Sequence, residues 1–326
     1  VYLKQALSSS PPYSFHIKCE KILNKILASG EIQFRKSIRV AILGSSTTSF
    51  LVSVLQACCF KSGININVYE GGYNSYRQDI LDPESALHSF KPEAVIIIPN
   101  HRDLALSSMK NENGCIEFSE ELRNLWNILQ STSPCHVVQI GYDTPPYSAW
   151  GALEDTSSGG RARTIRKINS LLSENLPSGI SFLDINRVAL QCGENFNSYV
   201  DWHQNKQYPS LESLPALANF IDSHIRAAFG FTAKVLVLDL DNTLWGGVIG
   251  EDGLSGIKLG APSPEGEAYL ELQQYAKELQ LRGVLLAVCS KNNHKDAVLP
   301  FNEHDSMLLK LDDIILFKAN WQDKAS

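Results

Sequence analysis

The chain has 326 residues, of which 44% are hydrophobic and 20% are charged, and its formal net charge is −6. This length suits two domains, and the composition is that of a globular protein rather than a disordered one. The acidic balance excludes a broad nucleic-acid-binding surface, which needs an excess of basic residues. No apolar run reaches the ~18 residues that a membrane span requires. We therefore expect no nucleic acid and no membrane among its partners.

The cysteines are seven in number, are scattered along the chain and form no CxxC pair. This pattern indicates neither a structural zinc site nor a disulfide framework, so a reducing, cytoplasmic location is expected. The chain opens on Val1 rather than methionine and stops at Ser326, soon after a candidate phosphate-binding lysine. We expect it to be a fragment of a longer polypeptide.

The amino-terminal part alternates short β-branched runs with helix-length segments. Residues 14–29 have helical apolar spacing and end at Gly30, which predicts a helical arm over residues 1–36. Strands are predicted at residues 38–43, 64–69, 94–98, 136–140 and 180–183, with helices such as 50–61 and 164–174 between them. Strands that alternate with helices indicate βαβ units and a parallel sheet. Residues 37–230 are therefore predicted to form a doubly wound α/β domain.

The pattern starts again after Gly230. A predicted helix over residues 214–228 leads to an apolar strand at 234–240, followed by a helix at 264–281 and strands at 284–289 and 314–317. Residues 231–326 are predicted to form a second α/β domain with a parallel sheet, incomplete at its carboxyl end.

Two aspartates stand at the end of that apolar strand. Asp239 follows the strand directly, where open α/β sheets bind ligands, and Asp241 lies two residues on, so both side chains face one way. Transfer through an aspartyl-phosphate needs one carboxylate to attack phosphorus and another to move protons. Paired carboxylates also attract Mg²⁺. We predict Asp239 and Asp241 as catalytic residues and as Mg²⁺ ligands.

Further polar residues suit phosphate binding. Thr243 follows the aspartates, Ser290 follows the next strand, and Lys324 follows the last predicted strand. A hydroxyl group and an ammonium group both stabilise phosphoryl oxygens. The alternative interpretation is a set of solvated turn aspartates and a surface lysine.

At this point the sequence resembles a known family. The resemblance is carried by residues 238–253, 289–293 and 319–324, together with Gly260 and the run 266–268. These segments look like the FkbH-like glyceryl transferase/phosphatase family, and the resemblance spans nearly the whole chain. It implies a haloacid-dehalogenase-like second domain behind an SGNH-hydrolase-like (flavodoxin-like) first domain. It also implies that the chain dephosphorylates 1,3-bisphosphoglycerate with Mg²⁺ and passes the glyceryl group to an acyl carrier protein as a thioester for polyketide biosynthesis.

Cys289 is a candidate nucleophile for that transfer. It ends a predicted strand beside Ser290 and Lys291, with a helix expected from Asn292. A lysine and a helix amino terminus both favour a thiolate, which attacks acyl phosphates. Lys291 is also a candidate substrate-binding residue. The alternative is a small residue that closes a strand.

One feature departs from the haloacid-dehalogenase pattern. Such proteins carry a further acidic motif after a later strand, which completes the Mg²⁺ shell, and this chain stops before such a strand. The pair Asp312–Asp313 precedes Lys324 and does not match that position. The chain as given is therefore expected to bind Mg²⁺ weakly or to be inactive.

The first domain offers a second candidate site. Gly44 is followed by serines and threonines and then by an apolar helix, a turn that suits a nucleophile or an anion. By resemblance to SGNH hydrolases, Ser46 is the nucleophile, Gly72 and Asn100 lie near the oxyanion, and Asp201 and His203 supply the acid and the base. The match departs in two places, since Gly-Ser-Ser replaces Gly-Asp-Ser and one residue separates Asp201 from His203. The alternatives are that Ser46 is a helix cap and that this domain only binds glycerate or a carrier arm.

Four basic residues crowd one predicted helix, namely Arg161, Arg163, Arg166 and Lys167. They form either a solvated face or a docking patch for an acidic carrier protein. Two rival functions remain for the whole chain. One is a small-molecule phosphatase fused to an esterase-like domain, and the other is a non-catalytic carrier-docking domain.

Overall fold

A computed structural model describes residues 2–9, 11–30, 33–104, 112–157 and 159–324. The chain forms two compact units, Val1–Gly230 and Phe231–Ser326, which we call the first and the second unit. In the part of the chain that is described, no helix is long and apolar enough to cross a membrane.

The first unit is built on a sheet of five parallel strands. They are β1 (Lys36–Gly44), β2 (Ile64–Glu70), β3 (Ala94–Ile98), β4 (His136–Ile140) and β5 (Ile180–Leu183). Their order is β2-β1-β3-β4-β5, so the direction of winding reverses between β1 and β3. In such sheets the ligand crevice lies at the carboxyl ends of the strands beside the reversal. The predicted α/β fold is confirmed.

Ten α-helices are described in the first unit. They are α1 (Tyr2–Ser8), α2 (Tyr13–Ser29), α3 (Ser49–Lys61), α4 (Tyr76–Leu81), α5 (Ala86–Phe90), α6 (Glu112–Thr132), α7 (Arg161–Ser173), α8 (Ile185–Cys192), α9 (Tyr199–Asn205) and α10 (Leu214–Ala228). The predicted arm corresponds to α1 and α2. It packs on α3 through a small cluster that includes Leu7, Leu23 and Phe60. α2 ends at Gly30, whose φ of 65° lies in the left-handed region that favours glycine.

The core of the first unit explains why its strands are so apolar. All five residues of β3 are buried, as expected for a central strand covered on both faces. Ala41 and Leu43 of β1 pack into one cluster with residues of α4, α6 and α7. Within this core, the indole of Trp126 donates a hydrogen bond to Gln139 Oε1 at 2.9 Å.

The second unit has a smaller parallel sheet. Its strands are β6 (Val235–Leu238), β7 (Leu285–Ser290) and β8 (Ile314–Ala319), in the order β6-β7-β8. Its helices are α11 (Ile249–Gly256), α12 (Pro264–Leu281) and α13 (His294–Glu303). The predicted strand 234–240 stops early because the backbone turns at Leu240, whose carbonyl accepts hydrogen bonds from the amides of Thr243 and Leu244.

Candidate active site

Asp239 is the first residue beyond β6. Its Oδ2 accepts a hydrogen bond from Lys324 Nζ at 2.6 Å, and its Oδ1 accepts one from the Leu240 amide at 2.9 Å. Partial burial raises the pKa of Asp239, but hydrogen bonds from Lys324, Ser290 and the Leu240 amide outweigh this and hold the pKa below its ordinary value. The side chain is 42% exposed. Asp239 is therefore an ionised, accessible carboxylate, as a nucleophile must be.

Asp241 is held more firmly than Asp239. Its Oδ1 accepts hydrogen bonds from the Trp245 indole and the Ile249 amide, both at 3.0 Å. Its Oδ2 accepts a third from Asn292 Nδ2 at 2.8 Å. These three donors fix the direction of the carboxylate, which a proton-transferring group requires.

Asn292 is a site residue that was not predicted from the sequence. It is buried, and its amide nitrogen reaches both Asp241 and, at 3.2 Å, the hydroxyl of Ser290. Ser290 is the last residue of β7 and also donates to Asp239. The structure thus brings together the predicted residues Asp239, Asp241 and Ser290. Asn292 stands two residues after Ser290, just beyond a predicted strand. That position is the sequence feature from which Asn292 could have been predicted as a site residue.

The remaining predicted phosphate-binding residues, Lys324, Thr243 and Lys291, lie in three different environments. Lys324 joins the site through its bond to Asp239. Thr243 is half-buried in the turn after Asp241, and its amide donates to the Leu240 carbonyl at 3.0 Å. Lys291 is exposed and forms no ion pair with the residues described.

Cys289 lies one residue before the end of β7 and is half-buried. Leu238 pairs with Val288 in the sheet register, so the next residues, Asp239 and Cys289, follow on neighbouring strands. Side chains alternate along a strand, which directs Cys289 and Ser290 to opposite faces. The helix expected at Asn292 begins at His294 instead. Because Ser290 contacts Asp239, this alternation directs the Cys289 side chain to the face opposite that contact.

The donor set of this site fits Mg²⁺. Two carboxylates lie in it, and Mg²⁺ commonly uses one or two carboxylates and completes its shell with water and phosphate oxygens. No cluster of three or more His, Cys, Asp or Glu side chains suited to a metal occurs among the described residues. Asp313 is engaged elsewhere, because both its oxygens accept from Lys277 Nζ at 2.8 Å.

In the first unit, the serines that follow β1 form hydrogen bonds with residues of neighbouring segments. The Ser46 hydroxyl is buried and donates to the Tyr208 carbonyl at 3.4 Å. Asn100 Nδ2 donates to Ser45 Oγ at 2.9 Å, so the predicted oxyanion amide contacts the preceding serine rather than Ser46.

The predicted base and acid of this unit are not paired with each other. His203 lies exposed on α9 and stacks on Tyr199, with ring centroids 6.3 Å apart. Asp201 Oδ2 accepts from the Leu211 amide at 3.0 Å. Both residues lie on one short helix, and the Asp201 carboxylate is turned toward the loop after that helix rather than toward His203. Gly72 lies in the turn after β2, where its carbonyl accepts from Ser75.

A different histidine and aspartate are paired here. His101 Nδ1 lies 2.5 Å from Asp143 Oδ2, and both residues are buried. His101 follows β3 and Asp143 follows β4, which are neighbouring strands. This pair was not predicted from the sequence, although both residues stand just after predicted strands, where parallel strands bring their ends together.

The basic residues of α7 are largely engaged within the first unit. Arg166 pairs with Asp155 and Lys167 with Glu112, both at 2.8 Å. Arg163 donates to the Thr156 carbonyl at 2.7 Å. Arg161, the first residue of the helix, forms no ion pair with any described residue.

Comparison with known proteins identifies relatives of both units. The family model described as "FkbH, N-terminal domain" matches residues 39–223. The crystal structure of the N-terminal part of the protein BF1531 from Bacteroides fragilis, which contains a phosphatase domain and is complexed with Mg, is similar with 29% identity and a TM-score of 0.78. That similarity covers 89% of this chain and 78% of the other. Among curated proteins, none matches this chain.

Two more distant structures are also similar in part. The salicylyl-acyltransferase SsfX3 from a tetracycline biosynthetic pathway has 15% identity and a TM-score of 0.35, over 61% of this chain and 56% of the other. Phospholipase A1 from Streptomyces albidoflavus NA297 has 15% identity and a TM-score of 0.36, over 57% of this chain and 98% of the other. Similarity at TM-scores this low supports no functional argument for this chain.

Proposed function

The chain belongs to the FkbH family, and from this premise we propose that it dephosphorylates 1,3-bisphosphoglycerate and transfers the glyceryl group to an acyl carrier protein as a thioester. The observation that supports the dephosphorylation step most directly is the pairing of Asp239 with Lys324 beside the firmly held Asp241. An ionised nucleophile, an oriented proton carrier and a phosphate-neutralising lysine are the parts that aspartyl-phosphate chemistry needs.

In the proposed dephosphorylation, a carboxylate oxygen of Asp239 attacks the phosphorus of the phosphomonoester. The bond to the leaving oxygen breaks, and Asp241 donates a proton to that oxygen. Asp241 then accepts a proton from the water that hydrolyses the aspartyl-phosphate. Ser290 and Lys324 stabilise the phosphoryl oxygens throughout.

Asp239 and Asp241 would hold a Mg²⁺ ion in this site, as their oxygen donors allow. Bound there, the ion would offset the charge between carboxylate and phosphate. The Mg in the similar Bacteroides fragilis structure supports this assignment.

In the proposed transfer, the Cys289 thiolate attacks the carbonyl carbon of the acyl phosphate, and inorganic phosphate leaves. The product is a glyceryl thioester on Cys289. The thiol of the carrier then takes the glyceryl group by thioester exchange, and the Cys289 thiol is released. No further energy source is needed, because one thioester replaces another.

The phosphatase step is tested by Asp239→Asn. The amide cannot attack phosphorus, so release of the 3-phosphate of 1,3-bisphosphoglycerate should fall by about 10³-fold or more, with the far-UV circular dichroism unchanged. Asp312→Asn is the matched control, since Asp312 is an exposed carboxylate of the same unit. Near-normal turnover in Asp239→Asn would remove Asp239 from the nucleophile role.

The transfer step separates the proposal from its rivals. The chain is incubated with 1,3-bisphosphoglycerate, Mg²⁺ and a carrier protein, with and without its phosphopantetheine arm. Intact-mass spectrometry should show a glyceryl mass gain only on the carrier that bears the arm. Phosphate release without any mass gain would favour a phosphatase fused to an esterase-like domain. Neither phosphate release nor mass gain, in a full-length protein that carries the further acidic motif, would favour a docking domain.

A further inference from the structure

The first unit contains a cavity of about 280 Å³ at the carboxyl ends of its central strands. The residues that line it include His101, Arg102, Arg161, Trp202, Gln207 and Tyr208. This volume is just below the ~300 Å³ at which pockets for drug-sized ligands begin, so it suits a small molecule. Three of these residues, His101, Gln207 and Tyr208, are buried, whereas Arg102 and Arg161 are exposed. The lining therefore combines buried polar groups with exposed cations.

His101 is held in one orientation by Asp143. The Asp143 carboxylate accepts from the His101 amide at 2.9 Å through Oδ1 and faces the ring nitrogen Nδ1 through Oδ2. A neutral imidazole that donates from Nδ1 has an acceptor at Nε2. Nε2 makes no hydrogen bond to the residues that are described. His101 thus brings an unused ring nitrogen, Nε2, to the lining of the cavity.

Gln207 and Tyr208 add buried polar groups to the wall of the cavity. The amide nitrogen of Gln207 donates to the Pro209 carbonyl at 2.8 Å, but its Oε1 is buried without a partner among the described side chains and backbone. The Tyr208 hydroxyl is likewise buried without a hydrogen-bond partner of ordinary geometry in the described part. Burial and the neighbouring Asp143 carboxylate raise the pKa of Tyr208 well above its ordinary value, so it remains a neutral phenol.

The two arginines give the cavity a positive side. The Arg102 guanidinium lies over the Trp202 ring at 4.2 Å from its centroid. Neither Arg102 nor Arg161 has an ion-pair partner among the described carboxylates, in contrast to Arg166 on the same helix as Arg161. Guanidinium groups that lack a carboxylate are suited to bind an anion.

We propose that this cavity binds a small hydroxylated organic anion. Its carboxylate or phosphate contacts Arg102 and Arg161, and a hydroxyl group forms a hydrogen bond with His101 Nε2. The site lies wholly within the first unit and does not rest on the function proposed for the second.

Three small molecules test separately how the anionic group and the hydroxyl groups of the ligand contribute to binding. Glycerate carries a carboxylate and hydroxyls, propionate carries only the carboxylate, and glycerol carries only hydroxyls. Calorimetric titration of the whole chain should give the tightest binding for glycerate, with propionate and glycerol each weaker by about tenfold or more, since each loses contacts worth at least that factor. Equal binding of all three, or no binding of glycerate, would overturn the proposal.

Variants of the lining residues then test whether the ligand binds in this cavity. His101→Gln and Arg161→Gln should each weaken glycerate binding by about tenfold. Arg166→Gln, on the same helix but paired with Asp155, is the control and should bind as the unchanged chain does. The indole NMR signal of Trp202 in the unchanged chain should also move on addition of glycerate. Undiminished binding in both variants, or an unmoved Trp202 signal, would contradict the site. Phosphate release measured on the same preparations reports separately on the second unit.

Discussion

At the scale of single residues, the charge state of Asp239 depends on Lys324. The hydrogen bond from Lys324 favours the carboxylate and helps to keep the pKa of Asp239 below its ordinary value. Lys324→Gln removes this contribution, so the pKa of Asp239 should rise and activity should be lost at a higher pH on acidification. The measurement is kcat/KM for phosphate release as a function of pH. The acid limb, where kcat/KM falls on acidification, should move to a higher pH. Lys295→Gln, which changes an exposed lysine of α13, is the control. An acid limb that does not move would show that Lys324 acts on the substrate alone.

Cys289 carries the second prediction at this scale. Cys289→Ala should lose the covalent glyceryl adduct and the loading of the carrier, because alanine has no nucleophile, while phosphate release through Asp239 continues. Peptide mass spectrometry of the chain after incubation with substrate locates the adduct. Cys192→Ala is the matched control, since Cys192 is also a half-buried thiol. An adduct mapped to Cys58, Cys192 or Ser46 would contradict the assignment.

At the scale of elements, one buried glutamine ties α12 to two loops of the second unit. Gln273 Nε2 donates to the Leu244 carbonyl at 2.8 Å, and its Oε1 accepts from the amides of Leu308 and Leu309. Gln273→Leu would leave these buried backbone groups unpaired. Each of these three groups costs about 1–3 kcal/mol, so the free energy of unfolding should fall by about 3 kcal/mol or more. Urea denaturation measures this, with the exposed neighbour Gln274→Leu as the control. A loss below about 0.5 kcal/mol would show that other groups replace the amide.

At the scale of the whole molecule, each compact unit has its own hydrophobic core. Ile97 is buried in the first core and Leu286 in the second. Truncating such a side chain to alanine costs about 2–5 kcal/mol. Ile97→Ala should therefore speed hydrogen exchange in residues of the first unit, and Leu286→Ala in those of the second, as read by mass spectrometry. Faster exchange throughout the chain in either variant would show that the two units unfold as one.

The amino-acid sequence by itself determined the class of fold and the positions of most strands. The strands at residues 94–98, 136–140 and 180–183 have the predicted bounds, because short β-branched apolar runs between turns are a local property of the chain. Membership of the FkbH family was also predicted from motifs between residues 238 and 324, and the family model that confirms it matches residues 39–223. The strand order β2-β1-β3-β4-β5 could not be predicted from the sequence, because strand pairing depends on contacts between distant segments.

Only the tertiary structure decided which polar residues meet. Asp239 and Lys324 are 85 positions apart, and although each was predicted singly, their bond required the ends of β6 and β8 to converge. His101 and Asp143 are 42 positions apart and were not identified as a pair. His203 was predicted as a base from its position near Asp201. In the structure its ring stacks on Tyr199, one turn earlier in α9. Spacing along a chain reports which side chains share an element, whereas hydrogen bonds between elements depend on packing, and packing is a property of the folded molecule alone.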